Sequence, residues 1–95
     1  MDKSEAKAVV SAELGKFRAL SYAELVERLL DQEENLEVTG PSGARYAIEI
    51  HGFWDDPPGG NFRVAGLIDD GGWRAFVPLT DDFIVAPRGS FVDKG

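Results

Sequence analysis

Residues 44–80 constrain the fold of this chain more than any other stretch, because apolar and polar residues alternate along most of their length. A period of two sends neighbouring side chains to opposite faces of a β-strand, so alternation indicates a sheet with one buried face. Within the stretch, Asp70-Gly71 separates two apolar runs, which is typical of a two-residue hairpin turn. We therefore predict antiparallel strands with one apolar face.

The predicted turn at Asp70-Gly71 would also set the register of the third and fourth strands. The predicted pairs are Ile68 with Trp73, Gly66 with Ala75, Val64 with Val77, and Phe62 with Leu79. A shift by one residue would bury Arg63 and Arg74, and buried charges cost free energy unless they find partners. The turn and the alternation therefore favour the same register.

Two further strands are predicted before this hairpin. Residues 45–54 alternate in the same way, and a turn at residues 41–43 joins them to a short strand at residues 36–39, with Pro41 and Gly43 in turn positions that suit them. The predicted pairs are Val38 with Tyr46 and Leu36 with Ile48. Together the four strands form an antiparallel meander.

Two helices are predicted at the start of the chain. Residues 4–20 carry an apolar stripe at helical spacing, with Ser4 as a candidate N-cap; its members are Ala6, Val9, Val10, Leu14 and Phe17. Ser21 to Glu24 match the capping box that begins a helix, and an amphipathic pattern continues to about Asn35. Both stripes need an apolar surface, so we predict a two-layer α+β domain with the helices on one face of the meander.

The rest of the chain and its length complete the prediction. After Thr80 we predict a short extended segment, a turn at residues 87–89 and a further short extended segment. The chain has 95 residues, of which 43% are hydrophobic, which suffices for one modest core. We therefore expect a single α+β domain over residues 1–95.

Charge and cysteine content exclude several classes of partner. The formal net charge is −7, whereas nucleic-acid binding depends on clustered lysine and arginine. The absence of cysteine fits a reducing compartment. The charged N-terminus lacks the apolar region of a signal peptide, and no apolar run reaches membrane-spanning length. We expect a cytoplasmic protein that binds neither nucleic acid nor membranes.

The sheet face opposite the helices is the candidate interaction face. Its central residues combine aromatic, aliphatic and arginine side chains, as protein interfaces do: His51, Phe53, Leu67, Arg74 and Phe76. We therefore predict a small acidic interaction module that docks on another protein or on its own copy. The alternative is that Phe83, Ile84 or Phe91 of the C-terminal segment covers this face.

A second hypothesis is a ligand-binding or metal-binding domain, or an enzyme, with a site between the loop at residues 55–61 and the C-terminal segment. Trp54 and four carboxylates would meet there: Asp55, Asp56, Asp81 and Asp82. Clustered carboxylates suit hard cations, but the spacing is not that of an EF-hand, and aspartate is common in turns. We assign no metal or cofactor from the sequence.

No catalytic constellation is recognisable. His51 is the only histidine, and Glu49 lies on the same predicted face, but the chain has no cysteine and no serine in a nucleophile motif. The glycine doublets at residues 59–60 and 71–72 do not precede a helix, as phosphate-binding loops do. We predict that the protein is not an enzyme.

Overall fold

The computed structural model describes residues 2–55, 57–71 and 79–92. The elements are α1 (Lys3–Arg18), α2 (Tyr22–Leu29), β1 (Glu33–Thr39), β2 (Arg45–Trp54), β3 (Phe62–Asp69), β4 (Leu79–Val85) and β5 (Phe91–Val92). The strands form one antiparallel sheet in sequence order, from β1 to β5. The predicted α+β fold is confirmed, with a short fifth strand in place of the second extended C-terminal segment.

Both helices pack on the same face of the sheet. The first helix contacts β3 and β4, and the second contacts β2 and β3. All five residues of the predicted α1 stripe are buried, and they meet the inward side chains of the strands, among them Ile48, Ile50, Phe62, Val64 and Ile68. The predicted two-layer arrangement is therefore confirmed.

The beginnings of the two helices differ in how well the sequence predicted them. Asp2, rather than Ser4, caps α1: its carboxylate accepts a hydrogen bond from the Glu5 N–H at 3.1 Å. The helix begins one residue before Ser4, so that serine lies inside its first turn. The predicted capping box of α2 is confirmed, with reciprocal hydrogen bonds between Ser21 and Glu24 at 3.0 and 3.1 Å.

The end of α2 and the start of β1 lie at different residues from those predicted. The helix ends at Leu29, not near Asn35: the backbone of Leu30 is already extended, with ψ of 125°, and Asp31 then adopts a left-handed conformation with φ of 59°. The strand then begins at Glu33, three residues before the predicted Leu36. The predicted pairs of Leu36 with Ile48 and of Val38 with Tyr46 are confirmed.

The predicted register of the third and fourth strands is wrong. Ile68 pairs with Leu79, and Phe62 pairs with Val85 rather than with Leu79. This pairing is six residues out of the register that a two-residue turn at Asp70-Gly71 would set. The predicted partners Trp73, Ala75 and Val77 lie outside the described residues.

The register of β3 with β4 differs from the predicted one because the segment predicted to be the C-terminal extension makes a better fourth strand. In this register Phe83 and Val85 enter the core opposite Val64 and Phe62. The predicted turn at residues 87–89 is confirmed, with Gly89 at φ of 93° and a hydrogen bond from its N–H to the Ala86 carbonyl at 2.8 Å.

Within the described ranges, neither helix has the length and apolar character that a membrane-spanning helix requires.

Candidate functional site: the open face of the sheet

We call the side of the sheet that faces away from the helices the open face. The antiparallel register and the alternation of side chains place on it Glu33, Asn35, Glu37 and Thr39 of β1, Arg45, Ala47, Glu49, His51 and Phe53 of β2, Arg63, Ala65, Leu67 and Asp69 of β3, Thr80, Asp82 and Ile84 of β4, and Val92 of β5. In the described part of the chain, no helix or further sheet packs over this face.

Three of the five predicted interaction residues are placed on the open face by the structure. His51 lies opposite Ala65, and Leu67 follows two positions further along β3 on the same side. The third, Phe53, is 44% exposed. The other two residues, Arg74 and Phe76, lie outside the described residues.

The C-terminal segment does not cover the open face in the way considered above. Phe83 lies in the helix-side core, and the Phe91 ring packs edge-on against it at 5.7 Å between ring centroids. Ile84, unlike Phe83 and Phe91, belongs to the open face, and its side chain is only 4% exposed. Ile84 is thus a member of the face that is itself almost fully buried, and Val92, its cross-strand partner on β5, is partly exposed.

Arg63 holds two carboxylates on the open face. It lies between Phe53 and Ile84 across the strands, and its guanidinium contacts both Asp55, with Nη2 to Oδ1 at 2.7 Å, and Asp82. The hydrogen bond with Asp55 is the main reason that the pKa of Arg63 is raised. The paired charges fix the side chain, so this part of the face has a defined shape.

The four aspartates proposed as cation ligands are not gathered into one site. Asp55 and Asp82 meet at the Arg63 guanidinium. Asp81 points to the other side of the sheet, where its Oδ1 is 4.0 Å from Lys7 Nζ. The fourth, Asp56, lies outside the described residues.

Trp54 lies on the other side of the sheet from Asp82, one of the aspartates with which it was predicted to form a ligand site. Its ring packs on the helix side, edge-on to Phe62 at 5.3 Å and tilted against Tyr22 at 6.5 Å between ring centroids. Asp82 lies on the opposite side of the sheet. The ligand-site hypothesis therefore gains no support from the positions of these side chains.

The structure brings together a group that the sequence analysis did not predict. His51 Nε2 lies 3.4 Å from an oxygen of Glu33 and 3.5 Å from an oxygen of Glu49. Glu49 was expected beside His51, but Glu33 was missed because the predicted β1 began too late. Extending the Val38–Tyr46 register backwards by five positions would have revealed it.

A groove adjoins this group at the outer edge of β2. Residues 30–33 and 51–54 line it, and its volume is about 540 Å³. It forms because β1 accompanies β2 only as far as the Glu33–His51 pair, and beyond that point only an isolated bridge joins Leu30 to Gly52. Phe53 and Trp54 thus form one wall of an open groove.

Among the described residues, the open face carries more acidic than basic side chains. Its strands carry five carboxylates against two arginines: Glu33, Glu37, Glu49, Asp69 and Asp82 against Arg45 and Arg63. Each arginine is already paired, Arg45 with Glu37 at 3.1 Å and Arg63 with two aspartates. The face therefore presents apolar side chains within a negative surround.

Comparison of the chain with protein-family models, with curated proteins and with solved structures gives no match.

Proposed function

We propose that the protein is an interaction module whose open face docks on a basic surface of a partner protein. The observation that carries this proposal is the exposed aromatic ring of Phe53, which lies opposite Arg63 and diagonal to Ala65 on a sheet face over which no described element packs. Sheet faces with apolar side chains are usually covered, either within the chain or by a partner. The proposal assigns no catalytic role to the chain.

The composition of the face supports a protein partner. An aromatic ring and aliphatic side chains lie at its centre, and a fixed arginine lies between Phe53 and Ile84. Aromatic and arginine residues are the types that contribute most to binding energy at interfaces. Charged side chains surround this centre, as the polar rim of an interface does.

The charge of the face selects a basic partner over a second copy of the chain. Two open faces brought together would place carboxylates against carboxylates, and like charges in an interface cost several kcal/mol. A partner rich in lysine and arginine would instead neutralise the face. The formal net charge of −7 adds long-range attraction for such a partner and opposes binding to nucleic acid.

Site-specific cross-linking tests this proposal. A photoreactive phenylalanine analogue replaces Phe53 in the source cells, and a matched control places it at Ala12, an exposed position on the outer side of α1. We expect a basic protein to be linked from position 53 and not from position 12. Equal linking from both positions, or a position-53 product made only of two copies of this chain, contradicts the proposal.

Binding measurements with the cross-linked protein then test the surface. Leu67→Glu adds a charge at the centre of the open face, and Ala8→Glu adds the same charge on an exposed site of α1. We expect the first variant to weaken binding at least about tenfold, or about 1.4 kcal/mol, and the second to leave it unchanged. We also expect weaker binding as salt rises to about 1 M, where the Debye length is about 3 Å. Equal affinities for the two variants contradict the proposal.

A further inference from the structure

The group formed by Glu33, Glu49 and His51 lies on two neighbouring strands of the open face. Glu33 is the cross-strand partner of His51, and Glu49 precedes His51 by two positions on the same side of β2. Regular hydrogen-bonded backbone therefore positions all three side chains. Their ligand atoms lie within 4.8 Å of one another.

Both carboxylates approach the same nitrogen of the imidazole. Oxygens of Glu33 and Glu49 lie 3.4 and 3.5 Å from His51 Nε2. A tetrahedral zinc ion with bonds of about 2.0–2.2 Å separates neighbouring ligand atoms by about 3.3–3.6 Å. The two separations thus match two edges of a zinc coordination tetrahedron, and small rotations of the exposed glutamates would adjust the third.

The group differs from three other strand carboxylates, each of which is paired with an arginine. Glu37 is bound by Arg45, Glu34 by Arg28, and Asp82 by Arg63. In the described ranges, neither Glu33 nor Glu49 contacts an arginine or a lysine. Two carboxylates that converge on one nitrogen atom repel each other unless a positive charge stands between them. A bound cation would supply that charge.

We propose that Glu33, Glu49 and His51 bind a divalent transition-metal ion of the zinc type. Imidazole nitrogen with carboxylate oxygen is a ligand set for zinc and its neighbours, whereas calcium and magnesium take oxygen ligands only. Three protein ligands leave the fourth position for water, as in open zinc sites. The adjoining groove along residues 30–33 and 51–54 gives solvent access to that position.

The sequence makes the test unusually clean, because His51 is the only histidine and the chain has no cysteine. Isothermal titration of the full chain with Zn²⁺, in a buffer that does not bind zinc, measures affinity and stoichiometry. NMR of the single imidazole identifies the nitrogen that coordinates. We expect one ion per chain and a shift of the His51 Nε2 resonance.

Three variants locate the site. His51→Gln and Glu33→Gln should each weaken zinc binding more than about 100-fold, because each removes a direct ligand and outer-shell changes alone cost about 10- to 100-fold. Glu37→Gln removes a carboxylate from the same strand and the same face and should leave affinity unchanged. Circular dichroism checks that each variant remains folded.

Several outcomes would overturn the metal proposal. The first is no measurable zinc binding, and the second is zinc binding that survives His51→Gln. The third is an equal loss of zinc affinity in Glu33→Gln and Glu37→Gln, which would indicate general attraction of the ion to an acidic surface. The experiment needs no partner protein. Its failure would therefore leave the proposed docking role standing, and failure of the docking experiments would leave the metal site standing.

Discussion

At the scale of single residues, Glu5 ties the first helix to the turn between β1 and β2. Its carboxylate accepts hydrogen bonds from the Tyr46 hydroxyl at 2.5 Å, from the Ser42 N–H at 2.8 Å and from the Ser42 hydroxyl at 2.8 Å. Gly40 packs closely beside it: a Cβ at that position would lie 2.9 Å from the Glu5 carboxyl group and 3.0 Å from the Tyr46 ring, so this hydrogen-bonded pair would have to shift. One carboxylate thus joins three segments of the chain.

These hydrogen bonds shift the pKa values of both partners in opposite directions. The hydroxyl of Tyr46 is the main cause of the lowered pKa of Glu5, and the carboxylate of Glu5 raises the pKa of Tyr46 to about 12. The contribution of Glu5 to stability is present above its unfolded-state pKa and is lost as pH falls through the lower folded-state pKa. The contribution of Tyr46 is present below pH 10 and is lost as pH rises towards 12.

We predict that Tyr46 ionises at an unusually high pH and that this depends on Glu5. The chain has two tyrosines, so Tyr22→Phe leaves Tyr46 as the only phenol. In that background, phenolate absorbance should titrate near pH 12, and adding Glu5→Gln should move the midpoint towards 10 because the charged acceptor is lost. Circular dichroism verifies that the chain stays folded over the titration. A midpoint near 10 with Glu5 present would show that the hydrogen bond does not form in solution.

At the scale of elements, α2 packs against the sheet through a contact that only glycine permits. Gly52 of β2 is buried between Leu29 of α2 and Phe62 of β3. A Cβ there would lie 2.5 Å from the Phe62 ring and 2.6 Å from the Leu29 Cβ. The close approach brings the end of α2 onto β2 and so helps to define the groove at the strand edge.

We predict that Gly52→Ala destabilises the fold and that Gly15→Ala stabilises it. The first change overpacks the core and should lower the free energy of unfolding by about 1–3 kcal/mol. The second lies on an exposed site of α1 with nothing within 4 Å, and alanine in a helix interior is favoured by about 1 kcal/mol. Urea denaturation measures both. Equal stabilities for Gly52→Ala and the wild type would mean that α2 does not pack as described.

The elements that the sequence predicts well are those specified by neighbouring residues. The stripe of α1, the capping box at Ser21 and the β1–β2 hairpin all depend on patterns within about ten residues. The fourth strand, by contrast, is not specified by a pattern of neighbouring residues. Its Asp81-Asp82 pair breaks the apolar pattern, and the compensating cations, Lys7 and Arg63, are distant in sequence. The local signal of Asp70-Gly71 therefore suggested a register that the pairing of β3 with β4 does not have.

At the scale of the whole molecule, the two faces of the sheet have different roles. One face and the two helices enclose the core, in which no buried polar or charged residue occurs among the described residues. The other face carries the charged rows, the exposed Phe53 and the group around His51. Alternation alone predicted this division, because the strand period assigns each residue of β2 to a face without a register.

The composition of the open face was harder to predict than its existence. His51, Phe53 and Leu67 were placed correctly, since β2 and β3 alternate regularly. The sequence did not place Ile84 and Val92 among the strand residues of this face, because their positions depend on the register of β4. It also missed Glu33, because β1 begins earlier than predicted. Register comes from tertiary packing, which a single sequence pattern does not reveal.

Amide hydrogen exchange of the chain, alone and with the protein cross-linked from position 53, tests most directly whether the open face is the binding surface. Because amides of the inner strands are already protected by the sheet, the informative positions are the strand ends and the edge at residues 51–54. We predict that the partner slows exchange there and leaves the amides of α1 unchanged. Slower exchange confined to α1 and α2, with no change along β2 and β3, would contradict the account.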